Sequence, residues 1–271
     1  MARTRVNYAY RNLNGAGIWL SSEPTAGLAE IKVPNVFSQS ATALYPIGTR
    51  LQLDDRVFRY AKAGGDLITL RAMCSYDCRT RSSVDSTDVA TAAGSTTLVL
   101  DGASSGVPLE NAYAGGYVLI LTSATLGRVT MRIHGNTKAT ATSPYPTTLT
   151  LEQPLPHEVA ANTDCDIFPS RYADVRNISP LWNPVVGVVL DCISSGYYCW
   201  VQTWGPCFIT CTSTELGDAS GDRAAVFSGS DGTIAPADET WNAGTSPQLA
   251  GYTLSTADGE GSEWIMLMCD C

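Results

Sequence analysis

The chain has 271 residues, of which 44% are hydrophobic and 16% charged, against a usual charged share of about 25%. This composition excludes a disordered or collagen-like chain and leaves ample apolar material for a core beneath a thinly charged surface. With 29 Thr, three Lys and a formal net charge of −9, residue usage leans toward β structure.

The charge is unevenly spread. Residues 1–176 hold 16 basic and 15 acidic side chains, whereas residues 177–271 hold one basic residue, Arg223, and eleven acidic ones. An acidic C-terminal stretch repels phosphate, so no nucleic-acid partner is expected there. The opening stretch from Met1 to Ser22 carries Arg3, Arg5 and Arg11 and no acid. These arginines fit either a solvated arm or an arm laid across an acidic neighbouring subunit, in which case they form the interface. The N-terminus lacks the apolar core of a signal peptide, and the longest apolar run, Pro184 to Leu190, is far below the roughly 18 residues of a membrane span. A soluble chain made in the cytoplasm, with no membrane partner, is the expectation.

Along the chain, Glu23 to Lys32 fits one short helix, opened by Pro24 and closed before Pro34. Period-2 alternation then predicts strands over Thr97 to Leu100, Gly116 to Leu121, Val129 to Ile133 and Thr147 to Leu151. Val129, Met131 and Ile133 share one face, and Leu149 and Leu151 point inward. Asp101-Gly102 and His134-Gly135-Asn136 read as turns, and Asp85 to Thr97 as an exposed polar loop. Pro169, Pro180 and Pro184 interrupt strand formation where the charge balance changes. The expected division is an arm at 1–44, a β-rich middle domain at 45–176 and an acidic C-terminal β domain at 177–271. In the last of these, Gly187 and Gly251 each stand 13 residues ahead of a tryptophan, Trp200 and Trp264, so two strand–turn–strand units echo each other. Alternation puts Trp200 and Trp204 on one buried face, and Trp264, Met266 and Met268 on another. The fold class is therefore mainly β, with antiparallel sandwich or barrel domains behind an extended N-terminal arm.

Chemistry-bearing residues are sparse. The two histidines, His134 and His157, stand beside turn residues, and no Gly-x-Ser-x-Gly elbow places a serine nucleophile. The expectation is no enzyme, a hydrolase remaining an alternative only if His157 meets an acid and a nucleophile in a cleft. The nine cysteines form three close pairs, Cys74/Cys78, Cys207/Cys211 and Cys269/Cys271. Residues i and i+4 of a strand lie about 13 Å apart, too far to share a metal, which sets Cys207 and Cys211 aside. Cys74 and Cys78 on a turn leave a metal or disulfide open as the lesser reading, and Cys269 and Cys271 an intermolecular disulfide; reduced and buried is the default. Gly64-Gly65, Gly115-Gly116 and Asn14-Gly15-Ala16-Gly17 match no phosphate-binding loop, so no cofactor and no metal are expected.

The segment Tyr45-Pro46-Ile47-Gly48-Thr49-Arg50, followed by Asp54 to Gly65, resembles a phrase found in virion structural proteins of tailed bacteriophages. Asn111-Ala112-Tyr113-Ala114-Gly115-Gly116-Tyr117 and the stretch from Ser195 to Cys207 fit the same group. The resemblance implies a particle component, assembled in the host cytoplasm and repeated on a lattice, where affinity comes from multivalent contacts. The favoured expectation is a capsid decoration or cement protein that self-associates as a homo-oligomer and clamps the major capsid protein. The alternatives are a tail or portal-proximal component, or a host-surface carbohydrate-binding module if Trp19, Trp182 or Trp241 form an exposed platform.

Overall fold

The computed structural model describes residues 9–13, 16–20, 33–75, 82–101, 108–121, 127–139, 146–177, 183–212, 216–217, 223–227, 231–237, 248–255 and 261–269. Every regular element among them is a strand. In chain order these are β1 (Ala9–Leu13), β2 (Ala16–Leu20), β3 (Arg50–Leu53), β4 (Arg56–Lys62), β5 (Ala72–Ser75), β6 (Ser82–Thr87), β7 (Thr97–Asp101), β8 (Tyr117–Leu121) and β9 (Arg128–Asn136). They continue with β10 (Thr147–Leu151), β11 (Asp164–Phe168), β12 (Val175–Asn177), β13 (Val185–Val189), β14 (Tyr198–Thr210), β15 (Ala224–Phe227), β16 (Ile234–Pro236), β17 (Leu249–Thr253) and β18 (Ser262–Met268). The fold is mainly β and antiparallel, with one barrel and one large sheet. The expected helix at Glu23 to Lys32 lies outside the described residues.

One compact unit, Asp77–Arg171, is inserted between β5 and β12 of the other. Its strands close into an antiparallel barrel in the order β6-β7-β10-β9-β8-β11. Closure leaves no open sheet edge, and five strands each turn two side chains inward: Leu98 and Leu100, Val118 and Ile120, Met131 and Ile133, Leu149 and Leu151, Cys165 and Ile167. All ten are buried, so the interior is a packed core. Each large aliphatic side chain removed from water contributes about 1.5–3 kcal/mol.

His134-Gly135-Asn136 does not form the expected turn; it is the end of β9. The register steps from Thr150↔Gly135 to Leu151↔Ile133, leaving His134 as an extra, solvent-facing residue of a bulge. A Cβ at Gly135 would come within 2.5 Å of Asn111 Oδ1. Asn136 is buried and clamps the preceding loop: its Oδ1 accepts from the Tyr113 N–H (2.9 Å), and its Nδ2 donates to the Leu109 (2.9 Å) and Thr137 (2.8 Å) carbonyls. The turn-forming residue types are thus used to hold a neighbouring loop.

In the second unit a path of strands runs β1-β2-β3-β4-β14-β18-β17-β15-β16, with β13, β5 and β12 branching from β14. Thirteen-residue β14 is shared: Tyr198–Trp204 pairs with β4, Val201 and Gln202 pair with β13, and Trp204–Thr210 pairs with β18. Every residue of β5 and β13 is buried, as expected of uninterrupted apolar runs covered on both faces. Ala72, Cys74, Val185 and Val188 pack on β14, β15, β17 and β18 through Cys207, Ile209, Phe227, Ala250, Ile265 and Leu267. Met73, Val186 and Val189 pack oppositely, on Ala61, Cys199 and Val201.

The glycine echo has a structural basis. Gly187 (φ 155°) faces the Gln202 carbonyl of β14, and Gly251 (φ 149°) the Met266 carbonyl of β18. An added Cβ would sit 2.4 Å from the first oxygen and 1.8 Å from the second, so both positions exclude a side chain.

Two expectations are corrected by the pairing. The division at 44 and 176 does not follow the sheet: Ile18 of β2 pairs with Leu51 of β3, and Val185 of β13 with Cys74 of β5. Strands ascribed to the arm, the middle and the C-terminal domain therefore share backbone hydrogen bonds, and β1 and β2 pair antiparallel on that sheet. The buried face expected for Trp264, Met266 and Met268 is reversed. Ile265 and Leu267 face the core, whereas Trp264 is 48% and Met268 39% exposed.

Trp200 is 3% exposed and packs with Tyr45, Tyr60 and Tyr198. Trp200→Ala is expected to cost roughly 3–5 kcal/mol in denaturant unfolding, against under about 1 kcal/mol for Trp264→Ala; equal losses would show that the inward and outward assignments are wrong. Arg71, just before β5, is 3.0 Å from Asp231 Oδ2 in the turn before β16. Partial burial alone would raise the Asp231 pKa, but two hydrogen bonds from Thr233 and the Arg71 guanidinium outweigh it and hold the group below its ordinary value. This contribution is full above the unfolded Asp pKa of about 4 and is lost as pH falls through the lower folded value. Thermal melts of Asp231→Asn should accordingly fall less steeply than wild type as pH drops below about 4; an unchanged slope would count against the pair.

Candidate functional site: an apolar sheet face

The outward side of β14, β18 and β17 forms one continuous surface. Cross-strand registers set Trp204 beside Met268, Pro206 beside Met266, and Phe208 beside Trp264; Tyr252 of β17 lies on the other side of Met266. Trp264, Tyr252 and Met268 are exposed, and Trp204, Pro206, Phe208 and Met266 partly so. The Phe208 and Trp264 rings meet at 5.6 Å and 53°. None of these outward side chains is charged.

The exposed parts of Trp264, Tyr252 and Met268 alone amount to on the order of 300 Å², the lower end of the range of the largest apolar patch on a monomer, which is often functional. Leu249 and Leu254, at and just past the ends of β17, are also about half exposed, at 49% and 48%. The opposite side of the same strands is core, so the sheet holds the outward residues in fixed rows.

β14 passes into this face through a kink. The register with β4 steps from Gln202↔Phe58 to Trp204↔Val57, leaving Thr203 extra. The bulge interrupts the alternation that would put Trp200 and Trp204 on one face. The buried Gln202 amide is shared among the carbonyls of Trp204 (3.2 Å), Gly205 (3.3 Å) and Pro206 (2.9 Å). Gly205 has φ 94°, and a Cβ there would come within 2.4 Å of the Asp55 carbonyl. Before the kink lies the aromatic cluster: Tyr60 stacks on Tyr198 (5.9 Å, 9°), Tyr45 meets Tyr60 edge-on (5.3 Å, 80°), and Lys62 Nζ lies 5.7 Å from the Tyr198 ring centre.

The expected interface residues Arg3 and Arg5, the Arg11 side chain, and the Trp19, Trp182 and Trp241 rings lie outside what the structure describes. His134 and His157 are exposed on different elements of the barrel unit. Among the described residues, no group of three or more His, Cys, Asp and Glu is arranged to hold a metal ion, and no helix is long and apolar enough to cross a membrane. Cys78 and Cys271 are outside the description, and Cys192, Cys199, Cys207 and Cys211 carry free thiols. Burial pushes the thiols of Cys199, Cys207 and Cys211 up to about 12, the Arg56 charge opposing this at Cys207 and the Glu263 charge adding to it at Cys211.

The apolar face was missed in the sequence because Trp264, Met266 and Met268 look like core. A signal was present: Trp264 to Met268 is apolar at every position, as is Gly205 to Ile209. Such strands require cover on both sides, and here one side is open to solvent.

Comparison with protein-family models, curated proteins and solved structures finds no match.

The thiols provide a check on the packing. A thiol reagent at pH 8 should modify exposed Cys192 rapidly and Cys199, Cys207 and Cys211 only after unfolding. Cys192→Ser should remove one fast equivalent and Cys207→Ser none; fast loss of signal at Cys207 would mean that the sheet opens there.

Proposed function

We propose that the chain is a structural component of a tailed-bacteriophage virion, a capsid decoration or cement protein that binds the major capsid protein lattice and stabilises the head. The observation that carries this reading is the uncharged outward face of β14, β18 and β17, held rigidly by the core behind it. A surface of this kind loses its exposure to water by docking on protein, and many weak copies on a lattice add to a strong attachment. The phrases resembling phage virion proteins support the reading. Tyr45, Tyr60, Tyr198 and Trp200, drawn from two of them, meet in one aromatic cluster at the start of β14.

Two further readings use the same face. A tail or portal-proximal component would bind a different virion protein through it. A carbohydrate-binding module is favoured by the exposed Tyr252 and Trp264 rings, which could stack on sugars.

The test is co-sedimentation of the purified chain with empty shells of the major capsid protein of its own source phage. The chain should pellet with the shells, and Trp264→Glu should weaken binding at least about tenfold. A chain that stays in the supernatant overturns the head assignment; retention on host polysaccharide in the same assay would favour the carbohydrate reading.

A further inference from the structure

We propose that the occupant of this apolar face is a second copy of the chain, packed sheet on sheet about a two-fold axis that crosses β18 at Met266. The inference rests on the reading of the face as a protein interface: a second copy covers it in solution, and the capsid lattice competes with that copy for the same residues.

The register itself is nearly self-complementary. Trp264 and Met268 stand two residues to either side of Met266 on β18, and Phe208 and Trp204 stand two residues to either side of Pro206 on β14. A two-fold axis lying between the sheets, at right angles to β18 and through the Met266 row, reverses the direction of each strand and keeps its lateral place. Trp264 of each copy then covers Met268 of the other, Phe208 covers Trp204, and Met266, Pro206 and Tyr252 each meet their own counterparts. Sulfur over an indole ring is a favourable contact. Antiparallel sheets stacked this way sit within about 30° of alignment, the ordinary geometry of a β-sandwich core.

Area and charge point to the same occupant. The three most exposed side chains supply on the order of 300 Å², and the partly buried Trp204, Pro206, Phe208 and Met266, with Leu249 and Leu254 at the strand ends, extend the footprint toward the ~800 Å² per partner of a standard interface. The outward positions of the three strands bear no charge, so two copies meet without like charges inside the footprint. The chain carries a formal net charge of −9, so two copies repel each other as they approach. Self-association should therefore tighten as salt rises, whereas docking on a basic foreign surface would loosen.

The experiment is sedimentation equilibrium of the full chain with three variants. Wild type should dimerise below roughly 100 μM, since interfaces of standard size bind in the micromolar range or tighter. Met266→Glu and Met266→Lys should each weaken the dimer about thirty-fold or more, because each puts two like charges at the axis. An equimolar mixture of the two should restore a dimer, because Glu then faces Lys. Far-UV circular dichroism checks that each variant is folded, and Trp264→Ser, at a 48% exposed position, replaces a Met266 variant that is not. Wild type that stays monomeric at roughly 100 μM overturns the proposal. So does a dimer that survives both Met266 substitutions, or one that the mixture fails to restore. A monomer that still binds shells through Trp264 would sink the proposal and leave the virion reading standing; a dimer that ignores shells would do the reverse.

Discussion

The second unit depends on the kink in β14. A strand that ran straight would keep one partner on each edge along its length. Here the bulge at Thr203 and the φ 94° at Gly205 let β14 leave β4 and take up β18, while its first half also carries β13. At the kink the buried Gln202 amide donates to the carbonyls of Trp204, Gly205 and Pro206 from inside the core. A buried carbonyl without a partner costs about 1–3 kcal/mol, so an apolar residue at 202 would leave the bend without its compensation. Pro206, which cannot donate to a ladder, is tolerated because it stands beside the bulge and beyond the last pair with β4.

Much of the barrel was legible. The strands at Thr97, Tyr117, Arg128 and Thr147 follow from alternation, since the wall of a small barrel has one apolar face and one wet face. Its last turn was misread because His-Gly-Asn has turn composition, and only the tertiary partner of Asn136 shows why those residues are needed within a strand. The domain boundaries were not legible for a related reason. Prolines and charge balance mark where strands stop, but they hold no information on which strands pair over a hundred residues later, as Val185 does with Cys74.

The candidate site shows the limit of periodicity most clearly. Ile265 and Leu267 are as apolar as Trp264, Met266 and Met268, so the two faces of β18 cannot be ranked by pattern. The structure makes the choice: Ile265 and Leu267 complete the core that Cys207, Ile209, Ala250 and Phe227 build behind β18. The larger, more adaptable side chains are left outside. Trp and Met are the residue types enriched where proteins meet, and the packing of the core thereby selects the composition of the surface.

Charge and apolarity act at different ranges in this chain. The acidic excess of residues 177–271 sets a field felt over about 8 Å at physiological ionic strength. The uncharged rows on β14, β18 and β17 act only in contact. An uncharged face on a net-acidic chain associates slowly and reversibly, because nothing steers the encounter while contact area slows the departure. Such a surface forms few stray aggregates at low concentration and closes firmly only where many copies are brought together, which is the condition on a repeating lattice.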